Sequence, residues 1–394
     1  MATLGRALIS RGHRVTLFQV VDFADRARAQ GLNFQIVGRP TEDLTGMFDR
    51  MGKLSGLSSL RYVVQGASRL AAIICQEAPA VLTRQKIDLL LVDQNEPAGG
   101  TVAEHLGLPF VSVAPSLPLN REPVIPPPFA PWGYSASPLA RLRNRCGYLL
   151  ADRLIAPINK TLNGFRRSWG LTPVTSPNAS FSRISQLCQM PREFDFPHEN
   201  LPPNFHYLGP FLDSRTGGEA PPFPFERLDG RPLIYASFGT LQSGAMAYFQ
   251  RIAEACTPLN AQLVIATGQF TGEMPRFAGN TIAVRYAPQM ELLSRAALTV
   301  THAGLNTTMH SLSCGVPMVA IPMTHDQPAI AAHIDWTGSG MVVPPGQSSV
   351  ARLRTAIERT LNDPAYRSAA GRLRAAIQRS GGVSRAADIV EQCL

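Results

Sequence analysis

The 6 cysteines form no Cys-x-x-Cys pair; they stand far apart at Cys75, Cys146, Cys188, Cys256, Cys314 and Cys393. That spacing suggests neither a zinc site nor a disulfide framework, and it fits a reducing cytoplasm. No apolar run reaches the roughly 18–20 residues needed to span a bilayer, and the N-terminus lacks the apolar core of a secretory signal. The expectation is a cytoplasmic protein, soluble or peripheral to a membrane. No Asp-x-Asp pair occurs, which disfavours a transferase that grips a diphosphate through a bound cation, so no metal is expected. Low-complexity tracts and acidic blocks are also missing, and with 45% hydrophobic and 16% charged residues the chain should fold throughout. Basic and aromatic residues do not interleave as a nucleic-acid face requires. The net charge of +9 therefore points to an anionic substrate such as a nucleotide diphosphate, or to an anionic membrane surface.

At 394 residues the chain exceeds a typical single domain of roughly 100–200 residues, and two domains with a cleft between them are expected. Short apolar strands alternate with helical segments, the pattern of parallel sheets wrapped by helices in an α/β fold. A first series has strands at 14–20, 33–37, 88–92 and 109–113, with 186–190 and 206–208 leading out of that domain. A stretch rich in Pro and Gly then separates it from a second series at 233–237, 262–266, 282–285, 298–302 and 317–321. The expected division is residues 1–208, a linker at 209–231, and residues 232–394, with the last helix returning to the first domain. Residues 350–377 read as helical up to Gly381 and Gly382. Residues 1–10 read as an amphipathic helix closing at Gly12, where a βαβ unit should already have supplied a strand. The first strand and its loop are thus expected to be missing; a transit peptide is the alternative for this segment.

The segment from Arg285 to Gln327 carries the chemistry. A strand ends at His302, a glycine turn follows, and a helix is expected from near Thr307 to Gly315. Gly304 lets the backbone approach a ligand closely. The helix-start amides, with Asn306 and Thr307, then offer the positive end of the helix dipole to a phosphate, and His302 can donate to it. Asp326 and Gln327 follow the carboxyl end of the next strand, where open parallel sheets bind ligands, and they suit sugar hydroxyls. Upstream, Ser237, Gly239 and Thr240 end another strand facing the same cleft. The turn Tyr286, Ala287, Pro288 and Gln289 offers an aromatic ring, backbone groups and an amide that can frame a planar base.

YAPQ, HAGLNT, GVPMVAIP and DQ, in that order, resemble the donor signature of the family-one UDP-glycosyltransferases, which have the GT-B fold of two Rossmann-like αβα domains. RGHRVTLF, LLLVDQ and SFGT extend the resemblance along essentially the whole chain. Within the family, VDQNEPAGGTVAEHLGLPFVSVA, APQMELLSRA and DQPAIAAHIDWTGSG are most similar to bacterial carotenoid (zeaxanthin) glucosyltransferases; macrolide glycosyltransferases are more distant. The resemblance implies a nucleotide-sugar donor, UDP-glucose, in the second domain and a lipophilic alcohol in the first. It further implies no metal or other cofactor, and inversion at the anomeric carbon.

In such enzymes a histidine deprotonates the acceptor and an aspartate orients that histidine. Asp93 stands at the aspartate position, whereas the histidine, from a Gly-His loop before the first helix of this chain, is absent; His13 falls after that helix and is no substitute. Asn95, Phe129 and Trp132 are the candidate acceptor contacts. Phe129 and Trp132 lie in an apolar, proline-rich segment at 115–134 that either lines a pocket or forms a surface loop. The basic and apolar stretch at 139–169 suits an anionic membrane surface or an ordinary amphipathic helix. His310 stands where relatives carry a carboxylate that accepts from ribose hydroxyls, and a neutral histidine accepts only one bond. Tyr286 stands where many relatives carry tryptophan. Two alternatives stay open beside transfer: a nucleotide-sugar-binding protein without turnover, and, more weakly, an epimerase on the same fold.

Overall fold

The structure, a computed structural model, describes residues 1–38, 56–212, 221–239, 246–268, 270 and 272–394. In the first half, β1 (Thr16–Gln19) and β2 (Asn33–Ile36) pair in parallel. A second parallel sheet runs β3 (Leu90–Asp93), β4 (Phe110–Ala114), β5 (Ser185–Cys188), β6 (Phe205–Tyr207) in that spatial order. The last two strands, expected to lead out of the domain, instead complete its sheet, because Val111 to Ala114 pair residue for residue with Ser185 to Cys188. Thr16–Gln19 is the first strand among the described residues and follows the helix α1 (Ala2–Ser10). It shares no ladder with β3 there; the Arg14 guanidinium crosses instead to the Gln85 carbonyl at 2.6 Å.

Helices cover both faces: α3 (Gly56–Gln85), α4 (Pro97–Leu106) and α5 (Pro138–Ser168) pack with Leu90 on one side, α1 and the last helix of the chain pack with Leu91, Val111 and Val113 on the other, and α2 (Ala24–Ala29) lies against β2. The α4 boundaries follow from local chemistry. The Glu96 side chain accepts the Ala98 amide at 3.1 Å, Pro97 takes the first helical position, and Gly107 ends the helix at φ 65°.

The second half is one six-stranded parallel sheet: β7 (Leu233–Ser237), β8 (Gln262–Ala266), β9 (Thr281–Val284), β10 (Ala296–Thr301), β11 (Met318–Ala320) and β12 (Gly340–Val342). Their spatial order is β12-β11-β10-β7-β8-β9, and the helix α6 (Met246–Cys256) falls between β7 and β8 along the chain. Every residue of β7 and β8 is buried, as expected for parallel strands with helices on both faces. The chain leaves β7 towards β8 on one side and returns to β10 on the other, so a crevice opens at the carboxyl ends of β7 and β10.

Two sequence expectations are refined. Part of the expected linker packs with the second domain: Phe223, Phe225 and Leu228 join the apolar cluster of Leu233, Tyr235 and Val264, and Arg295 lies over the Phe225 ring at 4.7 Å. The arginine-rich helix divides into α10 (Val350–Asn362) and α11 (Pro364–Arg379). Pro364 disfavours helical geometry at Asp363, whose carboxylate caps the new helix by accepting the Ala365 amide at 2.9 Å.

The two halves meet along several contacts. The final helix, α12 (Gly382–Glu391), lies against α1, with Arg11 bonded to Asp388 at 2.8 Å and Glu391 at 2.7 Å, and His13 to Glu391 at 3.0 Å. Deeper, the buried Asp195 of the first half accepts from Tyr207 at 2.6 Å and meets His198 at 3.5 Å. Its other oxygen faces His333 at 3.2 Å, on the helix α9 (Gln327–Trp336) of the second half.

Burial alone would raise the Asp195 carboxyl, but His198 and His333 outweigh it and hold it well below the usual carboxylate range. Burial likewise opposes the charged form of His198, yet Asp195 and Glu122 raise it above its ordinary value. A depressed carboxylate contributes stability that is lost as pH falls through its folded pKa; a raised histidine contributes stability that is lost as pH rises through its own. The junction is therefore strongest between those limits. Asp195→Ala should cost about 3–5 kcal/mol of unfolding free energy near neutral pH, because His198, His333 and Tyr207 lose their common partner; a urea midpoint matching that of the parent would refute this.

Candidate functional site

The crevice is lined first by the end of β7. Ser237 is buried, and the next glycine, Gly239, adopts φ 69°, a conformation other residues rarely take. Thr240 lies outside the described residues. After β10 come His302, Ala303 and Gly304, and then the helix α8 (Leu305–Ser313), which starts two residues before the expected position. The left-handed residue of this turn is Ala303, at φ 65° and fully buried, not the glycine. Gly304 serves a different need: a Cβ there would stand 2.5 Å from His302 Nε2, and one on Gly239 would stand 3.2 Å from His302 Cε1. Both glycines make room for the imidazole.

His302 Nδ1 is buried without a well-aligned hydrogen-bond partner. Burial lowers the ring's pKa, against the pull of the Ser237 backbone and the Asp326 charge, and so favours the neutral form. No side chain caps the α8 N-terminus; the Thr308 amide bonds to Gly304, which leaves the preceding amides to an anion. Asn306 is exposed at this helix start, while Thr307 is buried.

Around the rim, Tyr286 is half exposed after β9, followed by Ala287 and by the helix α7 (Gln289–Arg295). Gln289 and His310 bond to each other: the amide Nε2 lies 2.8 Å from His310 Nδ1. Since the amide nitrogen can only donate, His310 accepts with Nδ1, and in the neutral ring, favoured by burial, Nε2 carries the hydrogen. His310 Nε2 is thus a donor, where a carboxylate would offer acceptors.

Asp326 and Gln327 sit at the start of α9 with different tasks. The Asp326 carboxylate accepts from the Ser116 hydroxyl, which follows β4, and so joins the two domains across the crevice. Gln327 is turned inward, its Oε1 accepting the Met323 amide at 2.8 Å and the Thr324 amide at 2.9 Å. It shapes the turn that presents Asp326.

On the facing domain, Asp93 ends β3, and both hydrogen bonds of its side chain among the described residues fall on Oδ1, from the Asn95 amide at 2.8 Å and the Asn95 side chain at 3.0 Å. Phe129 stays exposed, and Trp132 packs on α5, its ring in the space a Cβ on Gly147 would need, with Arg143 over it at 4.9 Å. No hydrogen bond or ring contact joins either aromatic to Asp93 among the described residues. The space enclosed beside Trp132, Pro127 and Phe196 is only about 10 Å³. A cavity of about 450 Å³ lies elsewhere, lined by Asn120, Arg121, Phe181 and Gln186, and contains none of the residues expected from the sequence.

Sequence reading missed Ser116, which only the domain arrangement brings to Asp326, and Glu96. Burial, with the nearby Asp93 charge, raises the Glu96 carboxyl to about 7 despite its bond to the Ala98 amide. The sequence signal was an acidic residue before a helix-opening proline. A carboxyl raised on folding destabilises the native state as pH climbs from its unfolded value towards its folded one. Between about pH 5 and about pH 8 the urea midpoint of Glu96→Gln, which keeps the capping oxygen, should therefore fall less than that of the parent; parallel curves would refute this. Gly304→Ala should displace the His302 ring, read as a shift of its imidazole NMR signals; unchanged signals would count against the packing described.

The family described as UDP-glucoronosyl and UDP-glucosyl transferase matches residues 6–379. A zeaxanthin glucosyltransferase of Pantoea ananas is 33% identical over 402 residues, covering 100% of this chain and 92% of the relative. The 4'-demethylrebeccamycin synthase of Lentzea aerocolonigenes is 26% identical, covering 99% and 95%. Among solved structures, the calicheamicin glycosyltransferase CalG4 superposes with a TM-score of 0.77 at 24% identity, covering 100% of this chain and 94% of its own. The Streptomyces glycosyltransferase SsfS6, complexed with thymidine diphosphate, has a TM-score of 0.67 at 20% identity, covering 99% and 95%. The structural likenesses establish the GT-B fold.

Proposed function

The chain belongs to the UDP-glucoronosyl and UDP-glucosyl transferase family and is a hexosyltransferase, and we propose that it moves glucose from UDP-glucose to a hydroxyl of a lipophilic acceptor such as a carotenoid, with inversion and without a metal. The observation that carries this is the uncapped α8 N-terminus beside His302, half-buried and favoured in its neutral form, at the β7–β10 crevice. A diphosphate there meets free amides and an imidazole, the donors a metal-free site needs for its charge. Tyr286, half exposed at the rim, supports packing on the base, and Asp326 supports contacts to sugar hydroxyls.

In the reaction, the acceptor oxygen forms a bond to the anomeric carbon from the face opposite the diphosphate. The carbon–oxygen bond to the diphosphate breaks, and UDP leaves with its charge held by the α8 amides. The acceptor proton passes to a base on the first domain, where Asp93 is the carboxylate that accepts it or steadies the group that does. The lipophilic acceptor rests on the relatives' printed names and on the apolar 115–134 segment, with Asn95, Phe129 and Trp132 as proposed contacts.

Incubation with UDP-glucose labelled in the sugar and a set of lipophilic alcohols should give a labelled glycoside; neither transfer nor hydrolysis would sink the proposal. His310→Ala should weaken UDP-glucose binding about fivefold, the ~1 kcal/mol of one neutral hydrogen bond, if its Nε2–H serves the ribose. Unchanged affinity would remove His310 from the donor site.

A second reading, nucleotide-sugar binding without turnover, is favoured by one observation: no imidazole bonds to Asp93 among the described residues. Calorimetry with UDP separates the two, since binding without any turnover supports the second reading.

A further inference from the structure

The outer face of α5 carries an apolar stripe. Leu139, Leu142, Leu149 and Leu150 are 80%, 57%, 57% and 58% exposed, and Cys146 between them is exposed as well. Their three- and four-residue spacing puts them on one side of the helix. The opposite side, with Ala140, Asn144, Gly147, Tyr148 and Ala151, is buried against the 115–134 segment: Tyr148 donates to the Ile125 carbonyl at 3.1 Å, and Asn144 to that of Pro123 at 3.1 Å. The leucines therefore face outward because the helix is locked from behind.

Charge accompanies the stripe. Within α5 the one acidic residue, Asp152, is engaged by Arg121 at 2.5 Å, and Arg141 on the inner shoulder by Glu199 at 2.6 Å. Arg153 and Lys160, at the same helical angles as the leucines, and Arg145, flanking the stripe, are exposed and make no ion pair among the described residues. Exposed leucines interspersed with unpaired cations match the boundary between acyl chains and anionic headgroups. A second copy of this chain fits less well, because a symmetric contact through this face would set its cations against their own equivalents. No helix of the described residues is long and apolar enough to cross a membrane, so the contact would lie in the plane of the surface.

We propose that the Leu139–Leu150 face of α5 docks the protein on the surface of an anionic lipid bilayer. The docking does not depend on the transfer reaction. If that reaction is as proposed, α5 places the 115–134 segment directly above the layer in which a lipophilic alcohol dissolves.

The test is flotation with vesicles of phosphatidylcholine alone and of phosphatidylcholine with phosphatidylglycerol. The protein should float with the mixed vesicles and be released by salt. Leu142→Ser combined with Leu149→Ser should lower partitioning about tenfold or more, and Arg145→Ala with Arg153→Ala should reduce it to the level seen on phosphatidylcholine. Melting temperature and UDP affinity should be unchanged in each variant, since none of these side chains is buried or in the crevice. Equal partitioning on both vesicles, or partitioning indifferent to the leucines, would overturn the proposal. So would a dimer, seen by light scattering, that the same substitutions dissolve. Vesicle binding without glycosyl transfer would leave the docking standing and refute only the proposed reaction.

Discussion

The buried carboxylate of Asp195 is the constraint on which the relation between the two domains depends. It is one of the few ionised groups shut away from water, and it persists there because Tyr207, His198 and His333 surround it. Two of those partners come from the first domain and one from the second, on the helix whose N-terminus bears Asp326. Satisfying the charge thus fixes α9 against the first domain. The same fixing brings Ser116 within a hydrogen bond of Asp326, so the two sides of the crevice are registered through a group that lies behind it.

Within the second domain, the strand order does what no single residue does. Because β7 and β10 are neighbours, the turns that follow them, 237–239 and 302–304, converge on one imidazole. Several polar side chains near the crevice are engaged by hydrogen bonds within the protein. Gln327 ties down its own turn, and Gln289 fixes the tautomer of His310. These bonds are the supports that give His310 and Asp326 a defined presentation, and they narrow the set of groups free to contact a nucleotide sugar.

Much of the architecture was legible because it rests on periodicity and local chemistry. Alternating apolar strands and helices, the proline-rich change near residue 209 and the glycine turn after His302 are short-range signals. They located five of the six second-domain strands to within a few residues, while the short edge strand β12 went unread. Signals that a local rule overrides were misread: the helical period of 350–377 runs through Pro364, where the chain breaks, and Phe223 and Phe225 pack as core although their stretch has linker composition. The strands at β5 and β6 looked like exits because a few residues carry no record of their pairing partners.

The fold class and the family were readable from residue type and spacing along the chain. Only the tertiary structure decided how those residues are used. That Gly239 makes room for the His302 ring, that Asp326 reaches Ser116, and that burial raises the Glu96 carboxyl to about 7 all depend on neighbours distant in sequence. Hydrogen bonds and desolvation act over a few ångströms in space, and only folding brings those neighbours within range.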